Sequence, residues 1–287
     1  DENRVDIAKL KADETSGDDL TGGYIFKVDK IDPDYVEGYS GFKSMPNPTY
    51  PNAMDIIYQY VYPDVEDIAN EQSNYLKEYI IEAEEILIDY NFSNPNEGYN
   101  KYLNTGSFVD FLLISELCKG VDKYRYSTYF HKKKESKGNE IFAGPIWDFN
   151  FAYANVDYWP FGLEAEGWLY NQVESHDWSI MFWWKRLMED DFFESLVASR
   201  WKELRQNEFR NENLVATFDS LANILADAQQ RNYQKWPILG SYVWPNYNWE
   251  NNTYNDEVNY FSNWFLARLD WMDNNMFGSD LYPAALM

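Results

Sequence analysis

The strongest constraint on the fold is a helix without a polar face that runs directly into a hairpin. Phe108, Val109, Phe111, Leu112, Leu113, Ile114 and Leu117 leave almost no solvated side, so the spacing predicts a buried helix from Phe108 to about Lys119. Ser107 reads as its N-cap, Asp110 as a short-armed capping-box partner and Gly120 as its stop. Out of it comes Val121-Asp122-Lys123-Tyr124-Arg125-Tyr126-Ser127. Tyr126–Ile146 then reads as a β-hairpin: Tyr126–Phe130 is rich in strand formers, Lys132–Asn139 is a polar turn, and Glu140–Ala143 resumes the strand. Gly144-Pro145-Ile146-Trp147-Asp148-Phe149-Asn150 follows. An acid mounted on the end of a buried helix is rigidly held.

Asp122 and Asp148 are equidistant from residue 135, inside the predicted turn. A regular ladder would therefore set both at the hairpin's open end, where opposed residues lie about 5 Å apart at Cβ. Two carboxylates that close repel unless a proton or a cation intervenes. A metal-dependent phosphoryl-transfer site has this need, one acid facing the acceptor hydroxyl and the other holding Mg²⁺. Two acids flanking a surface hairpin meet the same spacing, and on spacing alone that plainer reading comes first.

Composition narrows the classes. The 287 residues suit one large domain or two small ones, and 12 Trp, 24 Tyr and 18 Phe assure a sizeable core. Aromatics at 19% are abundant enough that some are expected at the surface or in a groove. With 48 acidic against 24 basic residues the net charge is −24, which repels nucleic acid and anionic membranes. A polyphosphate would need a divalent cation to approach. The basic run Lys132-Lys133-Lys134 with Lys137 reads as a solvated turn. Cys118 follows Phe108, Phe111 and Ser115 at helical spacing and reads as core; one cysteine forms no internal disulfide. His131 and His176 stand apart, without zinc-ligand spacing. No stretch approaches the roughly 18 apolar residues of a membrane span. The chain begins at Asp1 with neither methionine nor a signal-peptide pattern, and reads as a mature fragment or a trimmed chain.

Along the chain, Gly22-Gly23 opens a strand over Tyr24–Asp29, and Ile31–Asn52 reads as irregular with room for one more. Asp64 is expected to cap a helix running to about Tyr90. Further helices are predicted over roughly Ser179–Glu189, Asp191–Gln206, Glu212–Gln229 and Asp256–Met272, with Trp236–Tyr254 as a loop. The order is α+β with a dominant helical part.

These segments together resemble the spore-coat protein H (CotH) kinase family along nearly the whole chain. Asn3-Arg4-Val5-Asp6-Ile7 and Gly22–Phe26 are similar to its early segments, Ser107–Leu117 to its buried helix, and Asp122–Ser127 and Gly144–Asn150 to its two active-site motifs. Asp191-Phe192-Phe193, Arg200–Arg205 and Arg268–Met272 are similar to its C-terminal helices. The resemblance implies an atypical protein-kinase-like fold, mainly a helical C-terminal lobe with a central β-hairpin and a few N-terminal strands. It implies one domain over 1–287, with 1–60 strand-rich and 61–287 a helical lobe carrying the hairpin 122–148. It also implies transfer of the γ-phosphoryl of ATP, with Mg²⁺ or Mn²⁺, to Ser/Thr hydroxyls of exported proteins. The variant is more similar to exported proteins of Bacteroides-like bacteria than to spore-coat members, which implies a periplasmic or cell-surface location.

By the same resemblance Asp122 is the base or orienter for the acceptor hydroxyl, and Asp148 ligates metal and bridges the phosphates. Asn150 stands where the family often has a second acid; its carbonyl can ligate metal but adds no charge. Arg125 would offset phosphate charge, or simply pair with a nearby carboxylate. Ser127 stands where some members carry Asn, the better metal ligand. The family's strands bearing a phosphate-binding lysine are expected to precede Asp1, and Lys27 and Lys30 do not match that lysine by motif. The stretch is accordingly expected to bind ATP weakly by itself.

Two other classes are open. On a degenerate kinase-like fold the protein would be a binding or scaffold protein, with Trp159, Trp168, Trp236, Trp244 and Trp249 as stacking platforms for a surface glycan; for each Trp, packing is the plainer role. A two-carboxylate glycosidase would suit a separation near 5 Å, but the Pro145–Asn150 context matches the kinase family better.

Overall fold

The structure is a computed structural model describing residues 5–50, 52–157, 160–172, 180–248 and 250–277. In chain order its strands are β1 (Tyr24–Val28), β2 (Gly41–Lys43), β3 (Ile57–Tyr62), β4 (Thr128–Lys132) and β5 (Ile141–Ile146). Its helices are α1 (Gly17–Leu20), α2 (Asn70–Ile88), α3 (Thr105–Cys118), α4 (Pro160–Leu163), α5 (Leu169–Gln172), α6 (Trp183–Leu187), α7 (Asp191–Gln206), α8 (Asn211–Ile224), α9 (Ala226–Lys235) and α10 (Tyr254–Asn275). The class is α+β, as expected. The chain divides into two compact units, Asp1–Leu112 with Asp122–Asp148 and Val173–Phe193, and Leu113–Val121 with Phe149–Gln172 and Glu194–Met287. Among the described residues no helix is long and apolar enough to cross a membrane.

The first unit is built on a five-stranded antiparallel sheet in the order β2-β3-β1-β4-β5. The expected hairpin forms, and it extends this sheet: β4 pairs with β1 from Tyr24 opposite Lys132 to Val28 opposite Thr128. Strand β3 and the short helices α1, α4 and α5 are not among the elements expected from the sequence. Ile57–Tyr60 is an unbroken run of buried residues, because a strand between two others, covered on both faces, loses the alternation that marks a half-exposed one. Phe26 stacks on Phe130 at 5.1 Å, Phe108 lies 5.3 Å from Trp184, and Phe111 lies 4.9 Å from Trp184. At this core's edge the buried Glu84 of α2 accepts from Ser44 Oγ at 2.7 Å, Met45 N at 2.8 Å, Tyr58 OH at 2.7 Å and Trp183 Nε1 at 2.9 Å. Burial raises its carboxyl pKa, and those donors oppose the rise.

Several expected boundaries move for local reasons. Asp64 opens a single turn, with its carbonyl accepting from Asp67 and Ile68, and α2 begins only at Asn70, where Gln72 Oε1 accepts from Ala69 N at 3.0 Å. The cap of α3 is Asn104 rather than Ser107: Asn104 Oδ1 accepts from Ser107 N at 3.1 Å. The left-handed residue after α3 is Lys119 (φ 44°), not Gly120. The helix expected over Glu212–Gln229 is two helices divided at Leu225. Ser179 lies outside the described residues; of the helix expected there, α6 is the part seen. Helix α7 has the expected bounds, and α10 starts slightly early because Thr253 and Asp256 form a reciprocal capping box.

Lys132 overturns the reading of the basic run as a solvated turn. Its side chain is buried against α2, with Nζ 4.1 Å from the Tyr79 ring centroid and 2.8 Å from Asn139 Oδ1, and it also donates to the Thr21 carbonyl. Burial pulls its pKa down to about 7.

In the second unit Arg268 of α10 is fully buried. It donates to the carbonyls of Glu116 at 2.9 Å, Ala165 at 2.8 Å and Gly167 at 2.7 Å. The Glu116 carboxylate accepts from the first amides of α5, Leu169 N at 2.5 Å and Tyr170 N at 2.9 Å. Those bonds replace the water that two buried charges would otherwise need.

Candidate functional site

Four of the five residues singled out from sequence (Asp122, Arg125, Ser127 and Asp148) belong to the first unit, whereas Asn150 belongs to the second. The ladder does not bring Asp122 and Asp148 together. Its last pair is Thr128 with Ile146, and residues 122–126 form a turn closed by Tyr126 N donating to the Asp122 carbonyl at 2.7 Å. The link is Lys123. Its ammonium is buried and donates to the carbonyl of Asp148 at 2.7 Å and to that of Trp147. The turn after α3 is thus clamped to the end of β5 through side chain and main chain. No separate role had been assigned to Lys123; its place beside Asp122 in the first motif was the available signal.

Arg125 takes the role of a carboxylate partner. Its Nη2 donates to Asp122 Oδ1 at 2.9 Å, with the two side chains 4% and 17% exposed, and its guanidinium lies 4.6 Å from the Tyr126 ring centroid. The pair fixes the Asp122 carboxylate in one orientation. Ser127 N donates to Asp29 Oδ1 at 3.3 Å, so the loop leaving β1 meets the second motif. Gln59 holds that loop, donating to the carbonyls of Asp29 at 3.2 Å and Lys30 at 3.3 Å. Lys27 shares a sheet face with Gln59 and Tyr129 and donates to Asp32 Oδ2 at 3.4 Å. Trp147 is half-exposed, its ring 6.2 Å from that of Tyr129.

The backbone here is strained. Tyr124 (φ 67°), Ser127 (φ 50°) and Asp148 (φ 53°) all occupy the left-handed region without being glycine, at a cost of about 1–3 kcal/mol each. Such residues persist where the surroundings over-determine them, and the Lys123 and Asp29 bonds supply that.

Among the described residues no group of three or more His, Cys, Asp or Glu is placed to hold a metal ion. A Mg²⁺ is more often held by one or two carboxylates, waters and a ligand's own phosphates than by such a cluster.

In the second unit the chain after Asp148 is tied to the end of α3: Val121 N donates to the Phe151 carbonyl at 3.0 Å and Tyr153 N to that of Cys118 at 2.8 Å. Asn150 therefore lines a cavity of about 330 Å³ together with Phe149, Asn155, Asn246, Glu257 and Tyr260. Of the tryptophans proposed as platforms, Trp159 and Trp249 lie outside the described residues, and Trp168 is packed 5.0 Å from Trp271. Trp236 and Trp244 are exposed.

Compared with models of protein families, residues 3–272 match the family described as CotH kinase protein. A search of curated proteins gives no match. The family match runs through both motifs around Asp122 and Asp148, the five-stranded sheet and most of α10. The chain belongs to the CotH kinase family.

Proposed function

We propose that the protein is an atypical kinase that transfers the γ-phosphoryl of ATP to Ser/Thr hydroxyls of exported proteins, and that it is itself exported to the periplasm or cell surface. The observation that carries this reading is the Lys123 clamp, which gives Asp122 and Asp148 a fixed relation that the ladder alone does not. Family membership brings a general dependence on nucleotide and divalent metal. Asp148 would hold the metal, which when bound neutralises charge on the phosphates. Asp122 Oδ1 is taken by Arg125, and Oδ2 is assigned to the acceptor hydroxyl. The hydroxyl oxygen of the acceptor attacks the γ-phosphorus, the bond to the β-phosphate oxygen breaks, ADP leaves, and the hydroxyl proton passes to Asp122. Lys27, on the sheet beside the Asp29–Ser127 contact, is assigned as the cation facing the phosphates. Positioning and charge stabilisation supply most of the catalysis in such transfers.

The test is thermal shift and γ-³²P transfer with ATP and Mg²⁺ or Mn²⁺. A metal-dependent shift that Asp148→Ala abolishes, with transfer lost in Asp122→Asn, is expected. No shift at millimolar nucleotide would instead favour the scaffold reading, to which the Arg125–Asp122 ion pair also lends itself.

A further inference from the structure

The cavity of the second unit has a chemistry distinct from that of a phosphate site. Phe149, Tyr153, Tyr260 and Phe261 supply ring surface, and Asn150, Asn155, Asn246 and Asn248 supply amides. Its one ionisable carboxyl, Glu257, is raised by burial. Among the described residues no lysine or arginine lines it, and the chain's net charge is −24. A polyphosphate or uronate would meet repulsion here with no cation to offset it. A neutral ligand rich in hydroxyls, each of which both donates and accepts, is matched by amides, which carry a donor and an acceptor together. A ligand that also presents flat C–H faces is matched by the rings. Pyranose sugars have both properties.

The loop that forms one wall is ordered for this. Asn246 Oδ1 accepts from Asn248 N at 2.6 Å, and Asn155 Nδ2 donates to the Asn150 carbonyl at 2.9 Å, so two lining amides are pre-set by local bonds. The volume of about 330 Å³ is at the lower end of the roughly 300–1,000 Å³ usual for small-molecule sites, room for a single ring. Beside it in the same loop, Trp244 is exposed with its ring 6.0 Å from that of Phe151, where a second ring of a longer chain would lie.

We propose that this cavity is a binding subsite for a neutral pyranose, the end or a branch of a glycan. The assignment does not depend on kinase activity. It is tested on the full chain by saturation-transfer NMR and calorimetry with methyl β-D-glucopyranoside, methyl β-D-galactopyranoside, methyl α-D-mannopyranoside and cellotriose. At least one should bind in the micromolar-to-millimolar range. Tyr260→Ala and the loop variant Asn246→Ala should each weaken it tenfold or more. Binding of none of the four probes, equal binding by wild type and both cavity variants, or displacement by adenosine would overturn the proposal. The last result would leave the kinase reading standing, and a failed transfer assay with retained sugar binding would do the reverse.

Discussion

Lys123 Nζ donates to the main-chain oxygen of Asp148 at 2.7 Å from a fully buried position. A buried ammonium is costly unless its donors are used, so the bond is stable only while both motifs keep their relative position. The proposed metal ligand is thereby held through its backbone.

Replacing Lys123 with Met keeps the length of the side chain and removes the donors. Lys123→Met should lower phosphoryl transfer at least 100-fold while the melting temperature falls by a few degrees. A merely structural lysine would change the melting temperature and KM together; a positioning one lowers kcat at saturating ATP. Steady-state kinetics beside thermal melts separate the two.

Ser127 holds φ at 50°. Glycine there should stabilise the protein by about 0.5–1 kcal/mol by relieving the left-handed strain, and valine, which tolerates that region poorly, should destabilise it by more than that. Urea titrations of Ser127→Gly and Ser127→Val measure the contrast. If the hydroxyl serves the site, Ser127→Gly will be the more stable and the less active protein.

Glu84 satisfies four donors with two oxygens. Glu84→Leu removes the shared acceptor of all four, leaving the buried Tyr58 and Trp183 donors without it, and should cost on the order of 3 kcal/mol or more. Glu84→Gln keeps one acceptor oxygen, turns an amide against the other donors, and should cost about half as much. Both are read from chemical denaturation.

Lys132 and Lys119 are both pulled down to about 7 by burial, Lys119 also by the charge of Arg268. An unfolded lysine titrates near about 10.4, so between pH 7 and that value the unfolded chain binds more protons. Stability should therefore rise with pH across this window, by at most about 1.4 kcal/mol per pH unit for each group. Below pH 7 both states are protonated and the slope from these groups vanishes. Lys132→Met should flatten the rise, leaving the part due to Lys119. Denaturation midpoints at pH 6.5, 8 and 9.5 check the slope.

Local signals were sufficient for much of this molecule. The bounds of α7, the buried helix α3, the hairpin β4–β5 and the family of the chain could all be read from Asp191–Gln206, Phe108–Cys118 and the two motifs around Asp122 and Asp148, because helical period, strand formers and turn residues act over a few positions. Strand β3 escaped because burial on both faces erases its period. Lys132 was misjudged because its partners, Tyr79 and Thr21, are remote in sequence, and burial of a charge is decided by what packs on it. The equal spacing of the two acids suggested a ladder that the turn at residues 122–126 interrupts. The sequence by itself determined the buried helix, the hairpin, α7 and the family to which they belong. Only the tertiary structure decided that Lys123 joins the two motifs, and that Asn150 and Tyr260 line one cavity, since a polar group's role depends on which distant partners replace its water.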